Sequence, residues 1–295
     1  MKMSSEASSL TKKKKQGLGW IESIKGWSCV FHEFLFQRFT ASHLQNPLPL
    51  PSLNHLTCIV TGSTSGIGRE TARQLAEAGA HVVMAVRNTK AAHELIQQWQ
   101  KDWSGKGLPL NLEAMELDLL SLDSVVRFCN VWNVRLSPLH VLINNAGIFA
   151  MGVYKPRRIC RQQACTETRI SVVCLSPGIV LTNVARDLPR YVQVQYALIP
   201  YFIFSPQEGC RSTLFSATDS QIPEHCEMLK TNDKPICTFI SQNCKHTKPS
   251  EEAHNIETAN RVWEKTMELI GLPLDALEKL IEGQEVQCRY GTHQE

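Results

Sequence analysis

Residues 56–147 alternate between short apolar runs and longer stretches of helical period. The runs at 56–61, 81–86, 112–117 and 141–143 are short and mostly apolar, which suits strands buried on both faces of a parallel sheet. Between them, 67–78 predicts a helix with Ile67, Thr71, Leu75 and Ala78 on its inner face and Gly79 as its stop. A second helix over 89–101 brings Leu95 and Trp99 together at i,i+4. Ser121 is the N-cap of a third, which turns Val125, Phe128 and Trp132 inward. Strands alternating with helices of this length predict an α/β fold, a doubly wound parallel sheet with helices on both faces.

After Gly147 the rhythm breaks. Residues 151–169 form an atypical junction that contains Tyr154-Lys155-Pro156-Arg157-Arg158 and no apolar period. A buried strand resumes at 170–175, and Ser205-Pro206 opens a helix expected to run to Ala217. A polar, cysteine-containing segment follows. Ser250 opens a longer helix with Ile256, Val262, Met267 and Ile270 partly on one face, ended by Gly271 and Pro273. A short helix at 275–281 comes last.

Residues 1–52 read as an extension and 53–295 as the domain, with Pro47, Pro49 and Pro51 as a stiff linker. In the extension Trp20, Ile24, Trp27, Phe31 and Phe34 share one helical face, behind the basic run Lys12 to Lys15. Two readings stay open for residues 20–36: peripheral contact with a membrane surface, or packing on the core or on a partner. Glu22, Lys25, Glu33 and Arg38 interrupt the apolar run, so a secretory signal is not expected. No stretch of about 18 uncharged apolar residues predicts a membrane span. The expected location is the cytoplasm or the periphery of an intracellular membrane.

The formal charge of +3 is too small to suggest nucleic acid binding. Eleven cysteines are present. Cys58, Cys129 and Cys174 lie in apolar runs and read as buried thiols of a reducing compartment. Cys226, Cys237, Cys244 and His246 lack the spacing of a compact zinc site, and no metal is expected.

The chemistry is concentrated at the strand ends. Thr61-Gly62-Ser63-Thr64-Ser65-Gly66-Ile67-Gly68 leaves a strand and enters a helix. Gly62 permits a tight turn, Gly66 lets backbone approach a pyrophosphate, and Gly68 allows close packing behind the anion-binding helix N-terminus. The second strand ends in Arg87-Asn88, with no carboxylate for ribose hydroxyls. Arg87, helped by Arg69, suits a 2′-phosphate, which favours NADP over NAD.

The Gly-x3-Gly-x-Gly spacing resembles that of the short-chain dehydrogenase/reductase family, a Rossmann-like fold. Asp118-Leu119 resembles the family's adenine-contacting position, and Asn144-Asn145-Ala146-Gly147 its fourth-strand motif. Ser176-Pro177-Gly178 followed by Thr182 resembles the nicotinamide loop, whose threonine meets the carboxamide. The resemblance implies a nicotinamide cofactor, NADP, bound by Gly62, Ser63, Ser65, Gly66, Ile67, Gly68, Arg69, Arg87, Asp118, Leu119, Asn145, Ala146, Gly147, Pro177, Gly178 and Thr182. It also implies hydride transfer on a carbonyl/alcohol pair of an unknown small molecule. More narrowly the chain resembles a plant type of reductase, the FOREVER YOUNG type, in residues 85–90, 180–187 and 278–283 and in the start of the extension.

The same resemblance implies a serine, a Tyr-x3-Lys pair and an asparagine between the Asn-Asn-Ala-Gly and Pro-Gly motifs. Only 28 residues separate Gly147 from Ser176. Two crossovers belong there, and each strand–helix–strand unit needs about 30 residues. The expectation is a sheet short of one strand and its flanking helices, which in the family also form the usual dimer surface. Residues 170–175 can then pair directly beside the fourth strand, or an exposed sheet edge is left. Tyr154 with Arg158 is a distorted echo of Tyr-x3-Lys, interrupted by Pro156. No catalytic residue is assigned. Two functions remain: an NADP-dependent oxidoreductase with its acid supplied from elsewhere, or a non-catalytic splice or gene-model variant that binds cofactor or acts as an interaction protein.

Overall fold

The four leading apolar runs meet in one parallel sheet. In the computed structural model, which describes residues 36–147, 170–183, 202–230, 238–249 and 255–290, these are β1 (Thr57–Thr61), β2 (His81–Val86), β3 (Leu112–Glu116) and β4 (Val141–Ile143). Their order is β3-β2-β1-β4, with Ile59 beside Val83 on one side and Leu142 on the other. The crossovers are α1 (Gly66–Glu77), α2 (Thr89–Trp103) and α3 (Leu122–Val134), close to the predicted spans.

Side-chain alternation builds a core on each face. Cys58, Val60, Val82 and Met84 pack with Ala72, Leu75 and Trp99 of α1 and α2. Ile59, Val83 and Ala85 point the other way, against Met115, Leu117 and the Phe128 and Trp132 of α3. Val82, Val83 and Met84 are fully buried. Ser121 caps α3 as expected, accepting from Ser124 N at 3.2 Å.

Beyond Gly147 several expectations change. β5 (Val173–Leu175) does not pair with β4; it pairs in parallel with β6 (Thr238–Ile240) in a separate two-stranded sheet. The helix expected over 205–217 is two pieces, α4 (Pro206–Gly209) and α5 (Arg211–Thr218), joined at Cys210. The α5 helix packs against both β4 and β5, so the two sheets share a helix without sharing a ladder. Helix α6 (Gln221–Lys230) and β6 occupy the segment read as merely polar. The last two helices are α7 (Ile256–Ile270) and α8 (Ala276–Ile281). On α7 Asn255, not Ser250, accepts the capping bond, from Thr258 N at 2.8 Å. Only Met267 of its predicted apolar stripe is buried, while Ile256 and Val262 are exposed.

The cysteines divide. Cys58 is buried, and burial pushes its thiol up to about 12. Cys129 is exposed, because Phe128 takes the inward position and the next residue on a helix turns about 100° away. Cys174, expected as a thiol, is disulfide-bonded. Cys226 is buried against the Thr238 hydroxyl, Sγ to Oγ1 3.2 Å; Cys237 lies outside the described residues. Among the described residues no helix is long and apolar enough to cross a membrane, and residues 20–35 of the aromatic stripe lie outside them.

Candidate cofactor site

The predicted binding residues gather at the carboxyl ends of β1 to β5, where open parallel sheets hold their ligands. The β1–α1 turn is held by its neighbours. Gly62 has φ +66°, and a Cβ there would lie 3.0 Å from Ala146 Cα. Behind it, Asn145 Nδ2 donates to Thr61 O at 2.9 Å, and the Asn145 amide fills the space a Cβ at Gly68 would need. The Thr61 hydroxyl donates to Ile143 O at 3.3 Å and accepts from Ala146 N at 3.0 Å. These bonds lock the Asn-Asn-Ala-Gly motif onto the glycine turn.

The turn has the character of an anion site. Ser65, the N-cap of α1, is extended and makes no side-chain capping bond, and the first turn of α1 holds no acidic residue. The leading N–H groups of α1 thus lack a side-chain acceptor, at the positive end of the helix dipole. Ser63 is fully buried and its Oγ has no partner; Arg69 Nε is buried and unpartnered too. A buried hydroxyl without a bond costs about 1–3 kcal/mol. A bound group carrying anionic oxygens would relieve that cost, and in this respect the residues fit a dinucleotide.

The remaining residues follow the ends of the neighbouring strands. Arg87 is exposed just past the end of β2. Asp118, after β3, accepts from Leu120 N through Oδ1 at 3.0 Å, and Leu119 beside it is exposed. Asn144 and Gly147 are exposed beyond β4. From the second sheet, Thr182 reaches the same place: a Cβ at Gly66 would lie 3.2 Å from Thr182 Cγ2. Pro177 and Gly178 precede it in a half-buried loop, Gly178 with φ +76°. All sixteen predicted positions therefore lie among the described residues, in the strand-end loops or the first turn of α1. Tyr154 and Arg158, and the later Tyr191, Tyr196 and Tyr201, lie outside the described residues.

Sequence reasoning missed what stands behind the loop. Gln37 is fully buried and bonds Ile179 through both its amide atoms, while Arg38 pairs with Glu208 at 2.9 Å. The aromatic period of the extension drew attention to Trp20 through Phe34. The useful signal was smaller: Gln37 and Ala41 at i,i+4, facing away from Phe36 and Phe39.

The family profile described as short chain dehydrogenase matches residues 56–163. The chain is similar to Dehydrogenase/reductase SDR family member FEY of Arabidopsis thaliana, 58% identical over 362 residues that cover 96% of each chain. It is similar over a shorter stretch to Short-chain dehydrogenase TIC 32 B, chloroplastic, of Brassica napus, 45% identical over 97 residues, 32% of this chain and 28% of that protein. Among solved structures it resembles a hydroxysteroid dehydrogenase from Escherichia coli at 21% identity and a TM-score of 0.45, covering 59% of this chain and 91% of that one. With the strand-end site and a match along nearly its whole length, the chain belongs to the short-chain dehydrogenase/reductase family.

Proposed function

We propose that this chain binds NADP(H) and has lost carbonyl reduction. The observation that carries the proposal is the close approach of Thr182 to Gly66, where an added Cβ would lie 3.2 Å from Thr182 Cγ2. The two ends of the cofactor site meet, although the residues that should join them chemically are missing from the sequence. On this reading the α1 N-terminus and Ser63 hold the pyrophosphate, and Arg87 with Arg69 takes the 2′-phosphate. Asp118 and Leu119 flank the adenine, and Thr182 bonds the carboxamide. The cofactor supplies hydride. The proton would have to come from the protein, and no Tyr-x3-Lys pair stands between Gly147 and Ser176. Losing a positioned general acid alone costs about 10² to 10⁴ in rate.

The long alignment supports a local deletion. The match to the Arabidopsis protein runs over 362 aligned positions, while this chain has 295 residues in all, so many residues of that relative have no counterpart here. The proposed origin is a variant transcript, with a longer form that carries the serine and the Tyr-x3-Lys pair.

Fluorescence titration tests the binding claim. NADPH should bind at least about tenfold tighter than NADH, and Arg87→Ala should remove about tenfold to a hundredfold of that while leaving NADH alone, as for one charged hydrogen bond. Equal binding of the two cofactors would refute the NADP assignment. Steady NADPH consumption with a panel of ketones or quinones, abolished by Tyr154→Phe, would refute the loss of catalysis.

A further inference from the structure

The segment in front of the sheet is built into the cofactor site. Residues 36–40 form a helical turn whose inner side carries Gln37 and whose outer side exposes Phe36 and Phe39. Gln37 Nε2 donates to Ile179 O at 3.1 Å and to Phe202 O at 2.5 Å, and its Oε1 accepts from Ile179 N at 2.9 Å. One buried amide thus satisfies three backbone groups on two strands of chain. Those strands are joined to each other as well: Phe204 N donates to Ile179 O at 2.9 Å and Leu181 N to Phe204 O at 2.8 Å.

Neighbouring residues tighten the same joint. A Cβ at Gly178 would lie 2.9 Å from Gln37 Oε1, so the left-handed turn of the Pro-Gly loop is fitted closely around this amide. Arg38 donates to Ile203 O at 2.9 Å and pairs with Glu208. Ala41 packs with Val180 and Phe204, and Leu44 and Ile67 join that cluster. Ile67 belongs to the glycine turn and Val180 to the Pro-Gly loop. The segment therefore touches both walls of the site from behind.

We propose that Gln37 is a positioning residue for the cofactor: with Ala41 it braces the loop from Ser176 to Thr182 against the glycine turn and so sets the nicotinamide end of the site. This rests on the reading that the site takes NADP(H). The brace stands in for cohesion that a continuous sheet would supply, because β5 has no ladder to β4. Among the described elements, α5 is the one whose packing on both strands is extensive.

The test uses the full chain and two ligands. NADPH spans both halves of the site, and adenosine 2′,5′-bisphosphate fills only the adenosine half. Gln37→Leu should weaken NADPH about tenfold or more, because three buried backbone groups lose their partner. Binding of the bisphosphate should stay within about twofold, well under the tenfold that 1.4 kcal/mol represents. Gln37→Glu keeps an acceptor for Ile179 N but turns a buried carboxylate oxygen toward the carbonyls of Ile179 and Phe202, and should weaken NADPH at least as much as Gln37→Leu. Equal weakening of both ligands would reduce Gln37 to general packing, and no weakening of NADPH would overturn the brace. Amide exchange at Ile179 and Leu181 gives a readout free of cofactor, which should accelerate at least about tenfold in either variant while β2 stays protected. Unchanged exchange overturns the proposal even if the wild type binds neither ligand, an outcome that would separately refute the cofactor reading.

Discussion

The two sides of the molecule are made of similar residues and are held very differently. On the side of β1, β2 and β3, strands of five, six and five residues are covered by α1 and α2 on one face and by α3 on the other. On the side of β4 and β5, both strands are three residues long and sit in different sheets. Val83 and Leu142 flank the same residue, Ile59, yet Val83 is 0% exposed and Leu142 is 53% exposed. What differs is the cover, since α3 packs over Val83. The lesson is that the close contacts at the strand ends do not depend on how well the neighbouring strand is covered. Gly62 fits against Ala146 and Gly68 against Asn145, all before residue 148, and Thr182, which approaches Gly66, comes from the far side of residues 148–169.

The largest expected effect measures that contrast directly. Leu75→Ala, in the covered core, should cost about 2–5 kcal/mol in chemical denaturation. Leu142→Ala should stay within about 0.5 kcal/mol, as for a surface position. A Leu142 cost as large as that of Leu75 would mean the outer face of β4 is covered after all, and the contrast between the two sides would fail.

A middle-sized effect probes the joint between the two sides. A side chain at Gly68 would meet the Asn145 amide and come within 2.8 Å of Gly62 O. Gly68→Ala should therefore cost about 1–3 kcal/mol, as overpacking does, and abolish measurable NADPH binding. Gly107→Ala has only Trp103 Nε1 near it, at 3.7 Å, and should be neutral within about 0.5 kcal/mol. Full NADPH binding by Gly68→Ala would detach the Asn-Asn-Ala-Gly motif from the glycine turn.

How far the sequence could be read follows the same divide. His81 to Val86 and Val141 to Ile143 were legible to the residue, because an apolar run between turn residues has few other ways to bury itself. The glycine turn was legible because strand, turn and helix follow within a dozen residues. β6 was missed, although Ile236, Cys237, Phe239 and Ile240 form a short apolar run behind Pro235. Its partner β5 is distant in sequence, and local pattern carries no information about which strands pair. The pairing of β5 with β6 rather than β4 was invisible for that reason. Gln37 was invisible for another: a buried glutamine looks like a surface one until the backbone groups it satisfies are known.

The smallest effect concerns Glu208, at the edge of the weaker side. Partial burial by itself raises its carboxyl, but the Ser205 backbone N–H and hydroxyl, with Arg38 and Arg211, outweigh that and hold it below its ordinary 4.5. A depressed carboxyl contributes stability that is fully present above the unfolded value and is lost as pH falls through the folded one. Glu208 caps α4 through Ser205 N at 2.8 Å and anchors Arg38, so this stability belongs to the brace. Glu208→Gln should cost about 1 kcal/mol or less near pH 7, as a partly exposed pair does. The gap between wild type and variant should hold down to about pH 5 and close below 4.5, with exchange at Leu181 rising before exchange in β2. A gap that persists unchanged below pH 4 would show that Glu208 acts there through packing alone. The acid weakness would then be shared by both sides of the molecule instead of marking the less covered one.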